Sequence, residues 1–138
     1  MTTQEVVHKN LDAFNHHDMN TFASLYATNA VAYDPQYTES LSGREAICKD
    51  AEDFILAFPD IQAKVISIIG TVDTVAIEME MSGTHTGPLI SSDDTIPATN
   101  RSLTMRVGRF ICIDSQGAIT EDNRYYDTSG IAQQLGLS

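Results

Sequence analysis

The chain has no tryptophan, two cysteines, four prolines and eight basic side chains among 138 residues. Each scarcity removes a class of protein. Cys48 and Cys112 are too few for a disulfide framework; a reducing compartment suits them, and the expected location is the cytoplasm. Eight basic against 19 acidic side chains leave a formal charge of −11, with no basic stripe to offset it. A nucleic-acid backbone carries the same sign, so no nucleic-acid partner is expected. No apolar run nears the roughly 18 residues of a membrane-crossing helix, and no membrane partner is expected. No cationic start leads into an apolar segment, so no signal peptide is expected. Phosphate-binding glycine loops, dinucleotide fingerprints, serine nucleophile elbows and Cys/His zinc spacings are missing, so neither cofactor nor metal is expected.

What is present suffices for one domain over residues 1–138, since 42% of the residues are hydrophobic. The clearest segment alternates Val75, Ile77, Met79 and Met81 with polar or small residues, which predicts a half-buried strand. It closes on Gly83-Thr84-His85-Thr86-Gly87. The same parity puts His85 on the apolar side, where an imidazole needs a partner, a ligand or a water. The flanking glycines allow backbone to approach closely.

Helices come first in the chain. Val7, Leu11 and Phe14 share a face of the first, and Asp18 or Asn20 can cap a short second with Phe22, Leu25 and Tyr26 inward. Ala30 to Tyr33 reads as a short strand ended by Asp34-Pro35. Ser42 and Glu45 fit a capping box for a third helix that carries Ile47, Ala51, Phe54, Ile55 and Phe58 and stops at Pro59. Strands are predicted from Ile61 to Ile69, through His85, from Leu103 to Ile113 with Arg109 interrupting, and from Ile119 to Tyr126. Pro88 to Asn100 reads as a loop with a polar tip at Ser91 to Asp94. Asp127 can cap a last short helix that Gly136 ends. Segregated helices and a curved, mostly antiparallel sheet make the class α+β, with a cone-like interior where a pocket fits.

Several residues carry candidate chemistry. His85 is open to two readings, a pocket acid/base or carbonyl donor, and a buried imidazole held by backbone or a carboxylate. Glu121, Asn123 and Tyr125 share parity with Ile119 and are expected to face inward. A desolvated Glu121 could take a proton from carbon beside a carbonyl; alternatively it pairs with Arg109 across the hairpin, which is favoured because a lone buried charge is costly. Asp34, next to Tyr33 at a strand end near the pocket rim, is a base, a water-positioning group or a turn former. Phe14, Tyr26, Phe58 and Met105 read as core with some pocket wall. His16, His17 and Asp18 lie on a helix end where adjacent histidines point apart, which is poor metal geometry.

The order of these pieces resembles the SnoaL-like polyketide cyclases of the NTF2-like superfamily. The resemblance runs nearly end to end. It rests on Asp34-Pro35 with Gly43, Phe58-Pro59-Asp60, Gly83 to Gly87, Pro97-Ala98-Thr99-Asn100-Arg101, Gly117 to Glu121, and Asp127 with Gln134-Leu135-Gly136. It implies an NTF2-like cone, with the sheet wrapped around N-terminal helices, and a homodimer through the outer sheet face. It also implies cofactor-independent acid/base chemistry on a small apolar carbonyl compound, of the aldol-cyclisation or isomerisation type. Because the superfamily also holds proteins without catalysis, a ligand-binding protein and a dimeric interaction module are the alternatives. The resemblance implies an acid/base Asp on the last strands, and Asp122 is the Asp there. Parity turns Asp122 outward, and only a bulge would bring it in. Asn123 stands where the family often has Trp, and Asn100 where it usually has Gly.

Overall fold

The computed structural model describes residues 1–91 and 94–137; Ser92 and Asp93 of the predicted loop tip and the terminal Ser138 lie outside them. The helices α1 (Thr3–Asn15), α2 (Met19–Ser24) and α3 (Arg44–Ala57) alternate with β1 (Tyr26–Ala32) and β2 (Leu41–Ser42). Then come β3 (Gln62–Gly70), β4 (Thr74–Thr84), β5 (Leu89–Ile90), β6 (Thr95–Ile96), β7 (Ser102–Ile113), β8 (Ile119–Tyr125) and α4 (Thr128–Gln134). The main sheet runs β2-β1-β8-β7-β4-β3 and is not closed. Its pairings are antiparallel except β1 with β8. The fold is therefore α+β, as expected, with the helices gathered toward the N-terminus.

Local signals account for most element ends. Thr2 and Glu5 form a capping box at α1, and Asp18 and Asp127 accept backbone N–H groups at the starts of α2 and α4. The capping box expected at Ser42 is absent. Gly43, at φ 94°, caps α3 with no side-chain hydrogen bond, while Ser42 pairs in β2. A positive φ favours glycine there, and this conformation opens α3, the longest helix. β1 begins earlier than expected, so Tyr26 lies on a strand rather than at a helix end. The segment from Pro88 to Asn100 also holds a two-stranded ribbon, β5 with β6.

One core joins the helices to the concave sheet face. Val6, Leu11 and Phe14 of α1 and Ile47 and Ala51 of α3 cluster with Val75, Ile77, Val107 and Ile111 of the sheet. Close approach explains one glycine of the Gly83 to Gly87 segment. A Cβ on Gly87 would collide with the Leu56 carbonyl oxygen, and the Gly87 N–H donates to the Ala57 carbonyl at 3.1 Å.

The decisive irregularity is in β8. Ile113 pairs with Ile119, but Cys112 pairs with Glu121, so Thr120 is an extra residue. Beyond it the side-chain parity reverses. Asp122 is fully buried, whereas Glu121 and Tyr125 are exposed. The expectation that Glu121, Asn123 and Tyr125 face inward is corrected by this bulge, and so is the outward placement of Asp122. A second bulge at Ile66 of β3 accounts for the weaker alternation there.

Candidate functional site

Between the helices and the concave face lies a cavity of about 90 Å³. Its apolar wall comes from Leu11, Phe14, Phe54, Met79, Met81 and Met105. Its polar side is built by Asp34, Asp50, Arg109, Arg124, Tyr26 and Tyr126. Pockets that enclose a drug-sized ligand run to roughly 300–1,000 Å³, so this half-open space fits a small molecule or one end of a larger one.

The polar side is one connected network. Arg109 donates from Nε to Asp122 Oδ1 at 3.0 Å, and from Nη2 to Asp122 Oδ2 at 2.8 Å and Asn10 Oδ1 at 2.9 Å. The Tyr26 hydroxyl donates to Asp122 Oδ2 at 2.6 Å. Arg124 Nη1 lies between two carboxylates, 2.7 Å from Asp50 Oδ2 and 3.2 Å from Asp34 Oδ2, and Nη2 lies 3.6 Å from Asp122 Oδ2. The Tyr126 hydroxyl donates to Asp34 Oδ1, and the Tyr37 hydroxyl donates to Asp50 Oδ1 at 2.6 Å. Arg109 therefore pairs with Asp122, not with Glu121 as expected. The bulge exchanged the partner but kept the rule that a buried guanidinium finds a carboxylate.

Burial alone would push the Asp122 carboxyl up. The charge of Arg109, then that of Arg124, outweighs this and holds it well below the usual carboxylate range. Burial works against the charge of Arg124, but Asp122 and then Asp50 keep it protonated. The Tyr26 phenol is pushed up by burial and by the charge of Asp122, and the Tyr126 phenol by burial and Asp34. Both phenols thus hold their protons and act as donors.

These environments separate the two buried aspartates. Asp122 is fully enclosed, with both oxygens held by Arg109 and one also by Tyr26. It is an electrostatic anchor rather than a proton acceptor. Asp34 lines the cavity. Its oxygens accept from Tyr126, from the Gln36 N–H at 3.0 Å and from Arg124. A carboxylate has about four lone-pair sites, so one is left for a ligand.

Of the sequence-derived candidates, Phe14, Tyr26, Met105, Arg109 and Asp34 meet at this cavity, with Asp122 directly behind it. The others lie elsewhere. Tyr33 and Tyr125 pack against each other on the outer face, their rings tilted and with centroids 5.5 Å apart. Asn123 accepts the Tyr33 backbone N–H at 3.3 Å, and Glu121 is exposed. Phe58 is buried between Phe54 and His85, one ring removed from the cavity.

His85 is also buried, but it does not line the cavity. Its ring lies on Phe58 at 5.2 Å, and Nδ1 is 2.9 Å from Thr99 Oγ1 and 3.2 Å from the Thr99 backbone N. Its backbone pairs with Asn100 and Arg101. It fastens the 97–101 segment to the end of β4 through Nδ1, while Nε2 is buried with no hydrogen-bond partner among the described residues; the expectation that His85 opens onto this cavity is not met, because its ring stops at Phe58. Burial lowers its pKa, with the Gly87 backbone acting weakly the other way. The neutral ring is favoured in the fold. Stability linked to His85 is thus present above the ordinary imidazole pKa of about 6.5 and is lost as pH falls toward the lower folded value. His85→Ala is expected to lower unfolding free energy by about 2–3 kcal/mol, the sum of lost packing and a lost hydrogen bond, measured by urea denaturation. A change under 0.5 kcal/mol would contradict the structural assignment.

Sequence reasoning missed Asn10, Asp50, Arg124 and Tyr126. Asn10 sits on the apolar stripe of α1, four residues from both Val6 and Phe14, and Asp50 falls between Ile47 and Phe54 on α3. Both positions were readable as polar residues on a core face. Arg124 and Tyr126 were not, because only the bulge turns them inward.

A curved open sheet around N-terminal helices, with a small polar-ended cavity inside, defines the NTF2-like class. The family pattern of the SnoaL-like polyketide cyclases matches residues 4–135, and the chain belongs to that family. No curated protein matches the sequence. Solved structures share the fold. One is IdmH from Streptomyces antibioticus, a proposed polyketide cyclase, 25% identical with 99% of each chain covered and a TM-score of 0.80. Another is AclR from Streptomyces galilaeus, a proposed hydroxylase, 20% identical with 99% of this chain and 85% of that one covered and a TM-score of 0.83. A third is a protein of ketosteroid isomerase-like fold from Catenulispora acidiphila, solved with trimethylamine, 20% identical with 100% and 96% covered and a TM-score of 0.79. Among the described residues no helix is long and apolar enough to cross a membrane.

Proposed function

We propose that the protein is a cofactor-independent acid/base enzyme acting on a small, mostly apolar carbonyl compound, by aldol-type cyclisation or isomerisation. The observation that supports it is convergence: the carboxylate Asp34 and the guanidinium Arg109 open onto one apolar-walled cavity. In this reading Asp34 takes a proton from the carbon beside the carbonyl. The C–H bond breaks, its electron pair moves to the carbonyl oxygen, and Arg109 faces the growing negative charge. Asp122 and Asn10 hold Arg109, Tyr26 holds Asp122, and none of the three is consumed. Membership of a cyclase family supports the reaction class.

The test needs no knowledge of the natural substrate. Small cyclic ketones and 1,3-diketones are incubated with the protein in deuterium oxide, and α-proton exchange is followed by NMR. Catalysed exchange is the expected result. Binding without exchange would replace the enzyme reading with that of a ligand-binding protein.

We also propose a homodimer through the outer sheet face. Ile69, Phe110 and Tyr125 are 71%, 54% and 50% exposed there, and these large apolar groups share one surface. Sedimentation at micromolar concentration is expected to give a dimer, with Phe110→Asp shifting it toward monomer. A wild-type monomer under the same conditions would rule the dimer out.

A further inference from the structure

Among the described residues, one buried side-chain polar atom has no hydrogen-bond partner: Nε2 of His85. The other ring nitrogen fixes its state. The Thr99 backbone N–H points at Nδ1 at 3.2 Å, and a backbone N–H can only donate. The Thr99 hydroxyl oxygen lies 2.9 Å from Nδ1 and accepts the Arg101 N–H at 3.4 Å, so its own hydrogen is free to face the ring. Nδ1 is therefore an acceptor, and the single hydrogen of the neutral imidazole sits on Nε2. Two backbone bonds complete the junction. The His85 N–H donates to the Arg101 carbonyl at 2.9 Å, and the Asn100 N–H donates to the His85 carbonyl at 2.8 Å. Asn100 holds φ 61°, a left-handed conformation that few non-glycine residues adopt unaided.

A second proton has no place in this arrangement. It would go to Nδ1 and turn that acceptor into a donor facing the Thr99 N–H. It would also put a positive charge on a fully buried ring. Among the described residues, the charged groups of the adjoining segments are engaged elsewhere. Asp60, before β3, accepts from the Thr84 N–H and hydroxyl, and Asp53 of α3 pairs with Lys49. Asp94 accepts the Thr95 N–H, and the Arg101 guanidinium lies against Gly136. Burial drives the pKa of the ring down, the Gly87 backbone opposes this in part, and no neighbouring charge contributes.

We propose that His85 and residues 97–101 form an acid-released latch. With the ring neutral the segment is docked; a proton on Nδ1 frees it while the main sheet stays paired. The freed piece is the connection from β6 to β7. The ring resists the proton when docked and takes it readily when open, where imidazole has its ordinary pKa of about 6.5. The docked form is thus fully favoured above that value and opens more often as pH falls below it.

The experiment is amide hydrogen exchange of the intact chain, followed by NMR and corrected for the intrinsic effect of pH on exchange. Protection of the Thr99 and Asn100 amides is expected to fall about tenfold from about pH 7.5 to about pH 5.5, the change for a ring that only the open form protonates. Their exchange should be insensitive to urea below the unfolding transition, because a local opening exposes little surface. Exchange at Ile77 and Ile111 of the central strands should rise with urea. His85→Asn offers an amide oxygen in place of Nδ1 and cannot titrate, so the acid-induced loss at Thr99 and Asn100 should vanish. If that variant folds poorly, the wild-type ring reports alone: its nitrogen shifts at neutral pH should show the hydrogen on Nε2. A hydrogen on Nδ1 at neutral pH, or protection at Thr99 and Asn100 that acid leaves unchanged, overturns the latch. So does a loss there that follows urea as the sheet amides do, since His85 would then act on global stability alone. A loss that persists in folded His85→Asn overturns the assignment to His85.

Discussion

Asp122→Ala is expected to lower the unfolding free energy by about 3–5 kcal/mol, the range found when one partner of a buried ion pair is removed. The pair is closed from water, with side chains 6% and 0% exposed, and the mutation would leave Arg109 bonded to Asn10 alone and the Tyr26 hydroxyl without its carboxylate acceptor. Domains of this size are stable by about 5–15 kcal/mol in total, so the variant would be marginal. Chemical denaturation is the measurement, and a loss below 1 kcal/mol would contradict the anchor role. Acid gives a second check on sign. The folded Asp122 carboxyl lies well below its ordinary value, so its contribution is fully present above about pH 3.9 and is lost as pH falls toward the folded value. The loss linked to His85 begins near pH 6.5 instead. Acid unfolding of the wild type should therefore show a shallow decline near neutrality that His85→Ala removes, followed by a steep one that Asp122→Ala removes.

Asp34→Asn is expected to reduce catalysed α-proton exchange by about 10²–10⁴-fold, the usual contribution of a positioned general base. The amide keeps the size of the side chain, and its oxygen can still accept from Tyr126 and the Gln36 N–H; its NH2 cannot accept from Arg124, which keeps Asp50 as its acceptor, so the fold should survive. The amide cannot take the proton. Ketone affinity should change far less than the exchange rate, because apolar burial against Met79, Met81 and Met105 supplies most of the binding. Equal losses in affinity and rate would assign Asp34 to binding alone. Full activity in Asp34→Asn would send the search for the base to Asp50.

How much of this the sequence disclosed depended on regularity. The alternation from Val75 to Met81 located β4 and its inward side, and the apolar positions of α3 located that helix. Asp127 and Asp18 were readable as caps because capping is a local interaction. Arg109, alone on an apolar strand face, was readable as a buried charge in need of a partner. The partner was not readable, because Thr120 inserts one residue into β8 and exchanges Glu121 for Asp122. A bulge leaves no periodic trace in seven residues, and its effect extends to every later side chain on the strand. Arg124 and Tyr126 were hidden for the same reason. His85 failed differently. Its inward parity was right, but parity gives a side and not a depth. The cavity lies beside Met79 and Met81, and His85, at the end of the same row, packs on Phe58 instead.

The central claim is that Asp34 and Arg109 address one ligand in one cavity. A crystal structure of the protein soaked with cyclohexanone tests it most directly. The account predicts the ring against Met79, Met81 and Met105, the carbonyl oxygen on Arg109 Nη1, and the adjacent carbon within about 3–3.5 Å of an Asp34 oxygen, the spacing of a reactive encounter. A ketone seated elsewhere, or one in the cavity with its oxygen turned from Arg109 and its α-carbon out of reach of Asp34, would contradict it.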